Sequence, residues 1–294
     1  MNRRTFLVRS LAVGVAGISA GRALGHGEIA TPADLDALKD FKVTSGRINQ
    51  SVCGWCYRDI STEELGAHAA KIGLKGMDLV RPEDFPILKK YGLVGTMTPS
   101  HGIKKGLNRP GNHEEICAQI EESIEATAQA GYPNVICFSG NREGMDDEEG
   151  LENCVIGVKK VVGLAEKKGI ILNMELLNSK VNHPDYMCDR TRWGAELARQ
   201  VGSPNFKLLY DIYHMQVQEG DVIATIREYS EYIGHYHTAG VPGRHELDET
   251  QELYYPAIMN AIVETGFQGY VAHEFVPTHD PLLLLNHGAK VCDV

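Results

Sequence analysis

Two apolar runs, Ile170-Ile-Leu-Asn-Met-Glu-Leu176 and Lys207-Leu-Leu-Tyr210, decide the fold of this 294-residue chain. Each run is short, aliphatic and preceded by a glycine, Gly169 or Gly202, at a position typical of the end of a helix. The segment between them is amphipathic. A buried strand, a helix and a second buried strand in this order are typical of a parallel strand–helix–strand unit.

The same unit recurs along most of the chain. Eight strands are predicted, at residues 47–52, 76–80, 94–97, 135–138, 170–176, 207–210, 233–237 and 270–275. Residues 46–280 therefore hold about 29 residues per unit, the period of a (β/α)8 TIM barrel. A doubly wound open sheet is the alternative, but Val52-Cys-Gly-Trp-Cys-Tyr57 is not a glycine-rich phosphate loop. We predict an α/β protein with a single-domain barrel and its C-terminal tail over 46–294, after an extension over 26–45.

The N-terminal segment is typical of an export signal. Asn2-Arg-Arg-Thr-Phe-Leu7 resembles a twin-arginine motif, and a small, apolar stretch follows it. That stretch is shorter than the roughly 20 apolar residues of a membrane-spanning helix. We therefore predict a signal over residues 1–25, and a periplasmic mature protein that does not interact with the membrane once the signal is removed.

Charge and cysteine content constrain the partners and the redox state. Without the signal, 25 basic residues stand against 39 acidic ones, a net charge of −14, which argues against a nucleic-acid partner. Seven cysteines are an odd number for an oxidising compartment, so at least one is expected to be free. Cys53-Gly-Trp-Cys56 has the spacing of a redox dithiol, but a local disulfide or two packed thiols are favoured.

Four polar residues stand at the ends of the last four predicted strands, 36, 26 and 37 residues apart: Glu175, Asp211, His237 and Glu274. Because each spacing is one unit, all four side chains reach the face where TIM barrels place their active sites. Three carboxylates there would repel one another unless a cation lay among them. The sequence thus predicts a divalent metal, Mn²⁺ or Mg²⁺ from the oxygen-rich ligands, with Co²⁺ or Zn²⁺ as alternatives.

These residue types indicate proton transfer beside a carbonyl group. A metal that polarises a carbonyl and a neighbouring hydroxyl oxygen stabilises an enediolate, and Glu175 and Glu274 would act as base and acid. Returning the proton to the neighbouring carbon gives an aldose–ketose isomer, and returning it to the other face of the same carbon gives an epimer. Loss of a β-oxygen is a third outcome, and the residues leave all three open.

Four motifs resemble a known family: Glu175-Leu-Leu-Asn-Ser179, Asp211-Ile-Tyr-His214, Ile233-Gly-His-Tyr-His237 and Ala239-Gly-Val-Pro-Gly-Arg-His-Glu246. Over residues 46–280 the chain is similar to the xylose-isomerase-like TIM-barrel sugar isomerases and epimerases, and its last motif especially to hydroxypyruvate isomerase. The resemblance implies that the two glutamates are catalytic and bind the metal with Asp211 and His237. It also implies that His214 and Arg244 bind the substrate, a small keto-sugar or hydroxy-keto acid. Dimers or tetramers are common in the family, so homo-oligomers are expected.

Two departures keep other functions open. Hydroxypyruvate isomerases typically carry Gln where His237 stands, and ketose 3-epimerases carry a substrate-contacting Glu where Val181 stands. The expected function is a metal-dependent, hydroxypyruvate isomerase-like enzyme, with a ketose 3-epimerase or a keto-glycoside lyase or hydratase as alternatives. A non-catalytic periplasmic sugar-binding protein is less favoured. So is a nuclease of the endonuclease IV type, which needs more metal ligands and a basic surface.

Several other residues carry structural expectations. Arg244 either contacts substrate or bridges Glu246 or Asp248 at the rim. His235 is expected to face the surrounding helices, and His101 and His183 to lie on the surface. For Trp55, core packing is favoured over stacking on a sugar.

Overall fold

The computed structural model describes residues 38–294, so the predicted signal and residues 26–37 of the extension lie outside the described residues. Eight parallel strands form one sheet: β1 (Asn49–Cys53), β2 (Gly76–Asp78), β3 (Val94–Met97), β4 (Asn134–Cys137), β5 (Ile171–Glu175), β6 (Phe206–Asp211), β7 (Ile233–Thr238) and β8 (Tyr270–His273). The α-helices within this range are α1 (Thr62–Ile72), α2 (Phe85–Lys90), α3 (His113–Ala130), α4 (Asp147–Lys168), α5 (Thr191–Val201), α6 (Ile212–Gln218), α7 (Val222–Tyr229), α8 (Tyr255–Glu264) and α9 (Pro281–Val291).

The sheet curls into a nearly closed barrel. Its strand order is β3-β2-β1-β8-β7-β6-β5-β4, and β1 pairs with β8 from Asn49 opposite Tyr270 onward. Between β3 and β4 the backbones pair at a bridge beyond the end of β3, where Thr98 bonds to Asn134 and Ile136, and the Asn134 side chain donates to Thr96 O at 2.9 Å. The predicted eight-stranded parallel barrel in a single domain is thus confirmed.

Local signals in the sequence explain where the helices start and stop. The Ser61 hydroxyl accepts a hydrogen bond from Glu64 N at 3.1 Å and so caps α1, while Asp146 caps α4 in the same way. Four helices end at a glycine in the left-handed conformation, which favours glycine: Gly73, Gly131, Gly169 and Gly202. The glycines that end these helices fix the length of each strand–helix unit and so the position at which the next strand begins.

The strands are buried on both faces, as expected for a parallel sheet covered by helices. Leu208, Val135 and Val271 are fully buried in one core that spans the barrel and most of the helices. No helix within residues 38–294 has the length and apolar character needed to cross a membrane.

All seven cysteines are buried and carry free thiols. Cys53 and Cys56 are packed thiols in a second core cluster with Val52 and Met77, so the local disulfide is not formed. Burial raises the pKa of both thiols well above the usual value, which keeps them protonated and poorly nucleophilic. The structure therefore gives no support to a catalytic dithiol.

Candidate active site

Four consecutive strands bring the predicted ligand residues together at one end of the barrel. Glu175 ends β5, Asp211 ends β6, His237 is the last but one residue of β7, and Glu274 directly follows β8. Each offers one ligand atom, and these atoms all lie within 4.8 Å of one another. All four side chains are buried, with Glu175 the most exposed at 5%. Metal binding by this cluster stays a prediction, but the side chains converge as the sequence analysis expected.

Two atoms of this cluster lack hydrogen-bond partners. His237 Nδ1 lies 2.7 Å from Glu274 Oε2 and 3.5 Å from Glu175 Oε1, but neither contact has hydrogen-bond geometry. Because buried polar atoms are almost always paired, His237 Nδ1 and Glu175 Oε1 indicate a missing partner. A divalent cation fits this donor set of three carboxylates and one imidazole, since it would take lone pairs from both atoms.

The carboxyl groups differ in their electrostatic surroundings. Burial raises the pKa of Glu175, and it raises that of Asp211 to about 7 against the compensating charge of Arg244. Burial acts on Glu274 too, but the positive charges of Arg244 and His237 outweigh it and hold its pKa well below the usual value. Without a cation the pKa of Glu175 thus lies above that of Glu274, a difference that suits a proton donor beside a proton acceptor.

The Asp211-Ile-Tyr-His214 motif places two site residues on one turn. Asp211 caps α6, and its Oδ1 accepts a hydrogen bond from His214 N at 3.0 Å, which leaves Oδ2 for the site. The His214 ring is fully buried, and its Nδ1 accepts from the Asn178 side-chain amide at 2.6 Å. The proton is therefore on Nε2, which is buried and has no hydrogen-bond partner. His214 is thus a neutral donor with a free Nε2 proton, and its contact with substrate stays a prediction.

Arg244 enters the cluster from the loop after β7. Its Nη2 donates to Glu274 Oε2 at 2.5 Å and to Asp211 Oδ2 at 3.2 Å, and its guanidinium packs over the rings of Trp55 and Tyr213. Glu246 accepts instead from Thr278, and Asp248 from Thr250. The structure therefore favours an Arg244 that faces the site over an Arg244 that bridges Glu246 or Asp248 at the rim.

Trp55 is part of the site. It lies in the short 3₁₀ turn after β1, is half-buried, and its Nε1 donates to Glu274 Oε1 at 2.7 Å. Trp55 also packs against the second core cluster, so the core packing that the sequence favoured is found together with the contact to Glu274. The indole holds one oxygen of Glu274 while Arg244 holds the other, so the orientation of this carboxylate is fixed from two sides.

The expectation that His235 faces the helices is wrong. His235 and His237 are two positions apart on β7, and such residues point to the same face of a strand. Both rings lie inside the barrel, where each Nε2 donates to Asp78 Oδ2, at 2.6 and 3.0 Å. Cys53, Asp78 and His237 also come close enough together to hold an ion, but hydrogen bonds already occupy Asp78 and burial keeps the thiol protonated.

Two histidines expected at the surface are half-buried. The His183 ring lies 5.2 Å from the His214 ring, so it borders the site. His101, in the loop after β3, accepts a hydrogen bond from Phe138 N on Nε2 at 3.2 Å, and its Nδ1 lies 3.1 Å from Gly102 O. His101 is thus hydrogen-bonded to the segment after β4, and His183 lies next to the ring of a site residue.

His101 is expected to make the fold sensitive to acid. Burial lowers its pKa to about 4, against about 6.5 in an unfolded chain. As the pH falls from 6.5 to 4, the unfolded chain takes up a proton that the folded protein does not, so stability present above pH 6.5 is lost. We expect wild type to lose about 2 kcal/mol more unfolding free energy between pH 7 and pH 4.5 than His101→Gln, which retains an acceptor for Phe138 N. Urea titrations at both pH values measure this, and parallel losses in the two proteins would contradict it.

Two residues of the site were missed in the sequence: Asp78, within the predicted strand 76–80, and Asn178, in the Glu-Leu-Leu-Asn-Ser motif. Trp55 was considered, but only as a residue that packs in the core or stacks on a sugar. An acidic residue inside an otherwise apolar strand is the one available signal, because a buried carboxylate needs partners.

Comparison with known proteins identifies the family. Residues 66–292 match the xylose isomerase-like TIM barrel family. The chain belongs to this family. Human putative hydroxypyruvate isomerase is 27% identical over 180 residues, which cover 58% of this chain and 64% of the human protein. The 2-oxo-tetronate isomerase of Haemophilus influenzae is 29% identical over 222 residues, covering 71% and 85%. The chain thus spans a little under two thirds of the length of the human relative.

Solved structures of similar fold include an endonuclease and an epimerase. A family 2 AP endonuclease from Brucella melitensis superposes with a TM-score of 0.76 at 22% identity, covering 83% of this chain and 99% of that one. D-psicose 3-epimerase from Clostridium cellulolyticum H10, with D-tagatose, gives 0.70 at 17% identity, covering 84% and 97%. At these identities the likeness shows the fold alone.

Proposed function

We propose that this protein is a metal-dependent isomerase of the hydroxypyruvate isomerase type, which moves a proton between neighbouring carbons of a small hydroxy-carbonyl substrate. The observation that carries the proposal is the buried convergence of Glu175, Asp211, His237 and Glu274, with two orphaned ligand atoms among them. The names of the relatives, hydroxypyruvate isomerase and 2-oxo-tetronate isomerase, support the same reaction class.

The four residues would hold one divalent cation, and the oxygen-rich set favours Mn²⁺ or Mg²⁺ over Co²⁺ or Zn²⁺. When bound, the ion acts as a Lewis acid on the substrate oxygens and so makes the neighbouring C–H more acidic. Two of the carboxylates that hold it, Glu175 and Glu274, are also the candidate proton carriers.

The side chains of the site would have separate roles in proton transfer and in binding the substrate oxygens. Glu274, whose carboxylate is fixed by Trp55 and Arg244, would take a proton from carbon, and Glu175 would return one. His214 donates through Nε2 to a substrate oxygen and thereby stabilises the negative charge of the enediolate. Arg244 supplies a second donor, which is positively charged and so suits a carboxylate or hydroxyl of the substrate.

A keto-glycoside substrate is the second candidate. A cavity of about 370 Å³ lies beside the site, between the loops after β1 and β8, and is lined among others by Cys56, Arg58, Val276 and His279. A three-carbon keto acid does not need this space, whereas the second ring of a 3-keto-glycoside would fit a volume of that order. On such a substrate the same residues would give an epimer or, by loss of a β-oxygen, an elimination product.

One experiment separates these reactions. Purified protein with Mn²⁺ is incubated in D₂O with hydroxypyruvate, with a panel of ketoses and with 3-keto-glycosides, and NMR follows deuterium and product. Deuterium at the carbon next to the carbonyl with an isomeric product supports the proposal, and an epimer or an unsaturated product supports the second candidate. Binding of sugar with no exchange on any substrate would refute the enzyme and leave a binding protein.

We propose further that the protein is exported by the twin-arginine route to the periplasm. The motif at residues 2–7 supports this, and so do seven buried free thiols, because a chain that folds before export shields them from oxidation. Replacement of Arg3 and Arg4 by Lys is expected to keep the protein in the cytoplasm, as cell fractionation would show. Unchanged export of that variant would contradict the route.

A further inference from the structure

Beneath the proposed cation site lies a fully buried carboxylate with four hydrogen-bond donors. Asp78 Oδ1 accepts from Ser51 Oγ at 2.8 Å and from Thr96 Oγ1, while Oδ2 accepts from the Nε2 atoms of His235 and His237. All five side chains have no exposed surface. The donors come from β1, β3 and β7 and the acceptor from β2, so this cluster ties four strands together at the centre of the barrel.

This arrangement fixes which nitrogen of His237 faces the site. An ionised carboxylate only accepts hydrogen bonds, so both imidazoles must carry a proton on Nε2. Nδ1 of His237 is then the nitrogen left to face Glu175 and Glu274, and it is the orphaned atom described above. The ring cannot turn over without losing the bond to Asp78.

We propose that Asp78 is a positioning residue for the cation site: by accepting the Nε2 proton it holds His237 with Nδ1 turned to the carboxylates, and His235 steadies Asp78 from the same side. The proposal rests on the proposed cation site. Asp78 would affect both the orientation and the basicity of His237, because a carboxylate behind an imidazole fixes the ring and makes the opposite nitrogen a better ligand.

The structure offers a matched pair of variants. Asp78→Asn keeps the shape of the side chain and its amide oxygen still accepts from the histidines, while its NH₂ group donates to hydroxyls that are free to rotate. Thr96→Val removes a donor to the same carboxylate, but on the oxygen that does not touch the histidines. Both variants disturb the buried cluster, and only the first changes the group behind His237.

The test is the affinity for Mn²⁺, measured by isothermal titration calorimetry on folded protein. Asp78→Asn is expected to weaken binding about 10- to 100-fold, and Thr96→Val to leave it unchanged. Equal weakening in both variants, or none in Asp78→Asn, would overturn the inference. If wild type itself binds no Mn²⁺, the proposed cation site fails first and the inference falls with it.

A second measurement does not depend on the stability of any variant. In wild type labelled with ¹⁵N-histidine, NMR reports which ring nitrogen carries a proton, and Zn²⁺ serves as a diamagnetic probe of the ligand nitrogen. We expect His237 to retain its Nε2 proton when Zn²⁺ binds, with the Nδ1 resonance shifted. A zinc-induced shift at Nε2 would show that Asp78 does not orient the ring.

Discussion

Glu175→Gln is expected to lower kcat and deuterium incorporation by about 10²- to 10⁴-fold while the protein stays folded. The amide has the same shape as the carboxyl group that it replaces, and Glu175 Oε1 has no hydrogen bond to lose. The fold therefore has little reason to change, whereas an amide cannot give up or take up a proton. NMR in D₂O with Mn²⁺ measures the loss of exchange. Thermal unfolding of the same sample checks that the variant stays folded.

Glu252→Gln is a suitable control for this substitution. Glu252 is exposed and accepts a hydrogen bond from Gln216, so the same chemical change is made on the surface, outside the cluster. We expect its activity to equal that of wild type. Full exchange by Glu175→Gln would remove this glutamate from the mechanism, even if the cation site were real.

Arg244→Met is expected to lower the stability of the metal-free protein and to raise its affinity for Mn²⁺. Arg244 neutralises Asp211 and Glu274, which are almost fully buried, so its removal leaves close negative charges and should lower the unfolding free energy of metal-free protein by about 3 kcal/mol. In the presence of Mn²⁺ the ion replaces the lost charge, so its affinity should rise even though turnover falls. Urea unfolding with and without Mn²⁺ measures the difference.

The control here is Arg58→Met, since the Arg58 guanidinium lies 5.9 Å from the centre of the same Trp55 ring but is exposed to solvent. It should change neither the stability nor the response to Mn²⁺. Mn²⁺ could also raise the unfolding free energy of wild type and of Arg244→Met by the same amount. In that case the charge of Arg244 does not substitute for that of the cation, and its role is limited to binding substrate.

The fold was predictable because its signals are local. Runs such as Ile170–Leu176, helix-ending glycines and the regular unit length define strands whose order in a parallel barrel then follows from the chain. The convergence of Glu175, Asp211, His237 and Glu274 is a consequence of that order. Their positions at strand ends are visible without any contact between distant parts of the chain.

The rest of the site depends on contacts between distant strands. Asp78 meets His235 and His237 across the barrel, 157 and 159 residues along the chain, so its partners have no sequence signal. The direction of Arg244 depends on its loop, in which this residue has a left-handed backbone at φ 62°. The misplacement of His235 has another cause, since strand alternation puts residues two apart on one side.

The incomplete pairing of β3 with β4 leaves the barrel wall with one weak joint. The other neighbouring strands pair through ladders of three or more residues, and β5 to β8 carry the four candidate ligand residues within them or directly after them. Thermal opening of the wall should therefore begin at Thr98, on the far side of the ring of strands from β7 and β8. We therefore expect the strands that carry the candidate ligand residues to separate later on heating than β3 and β4.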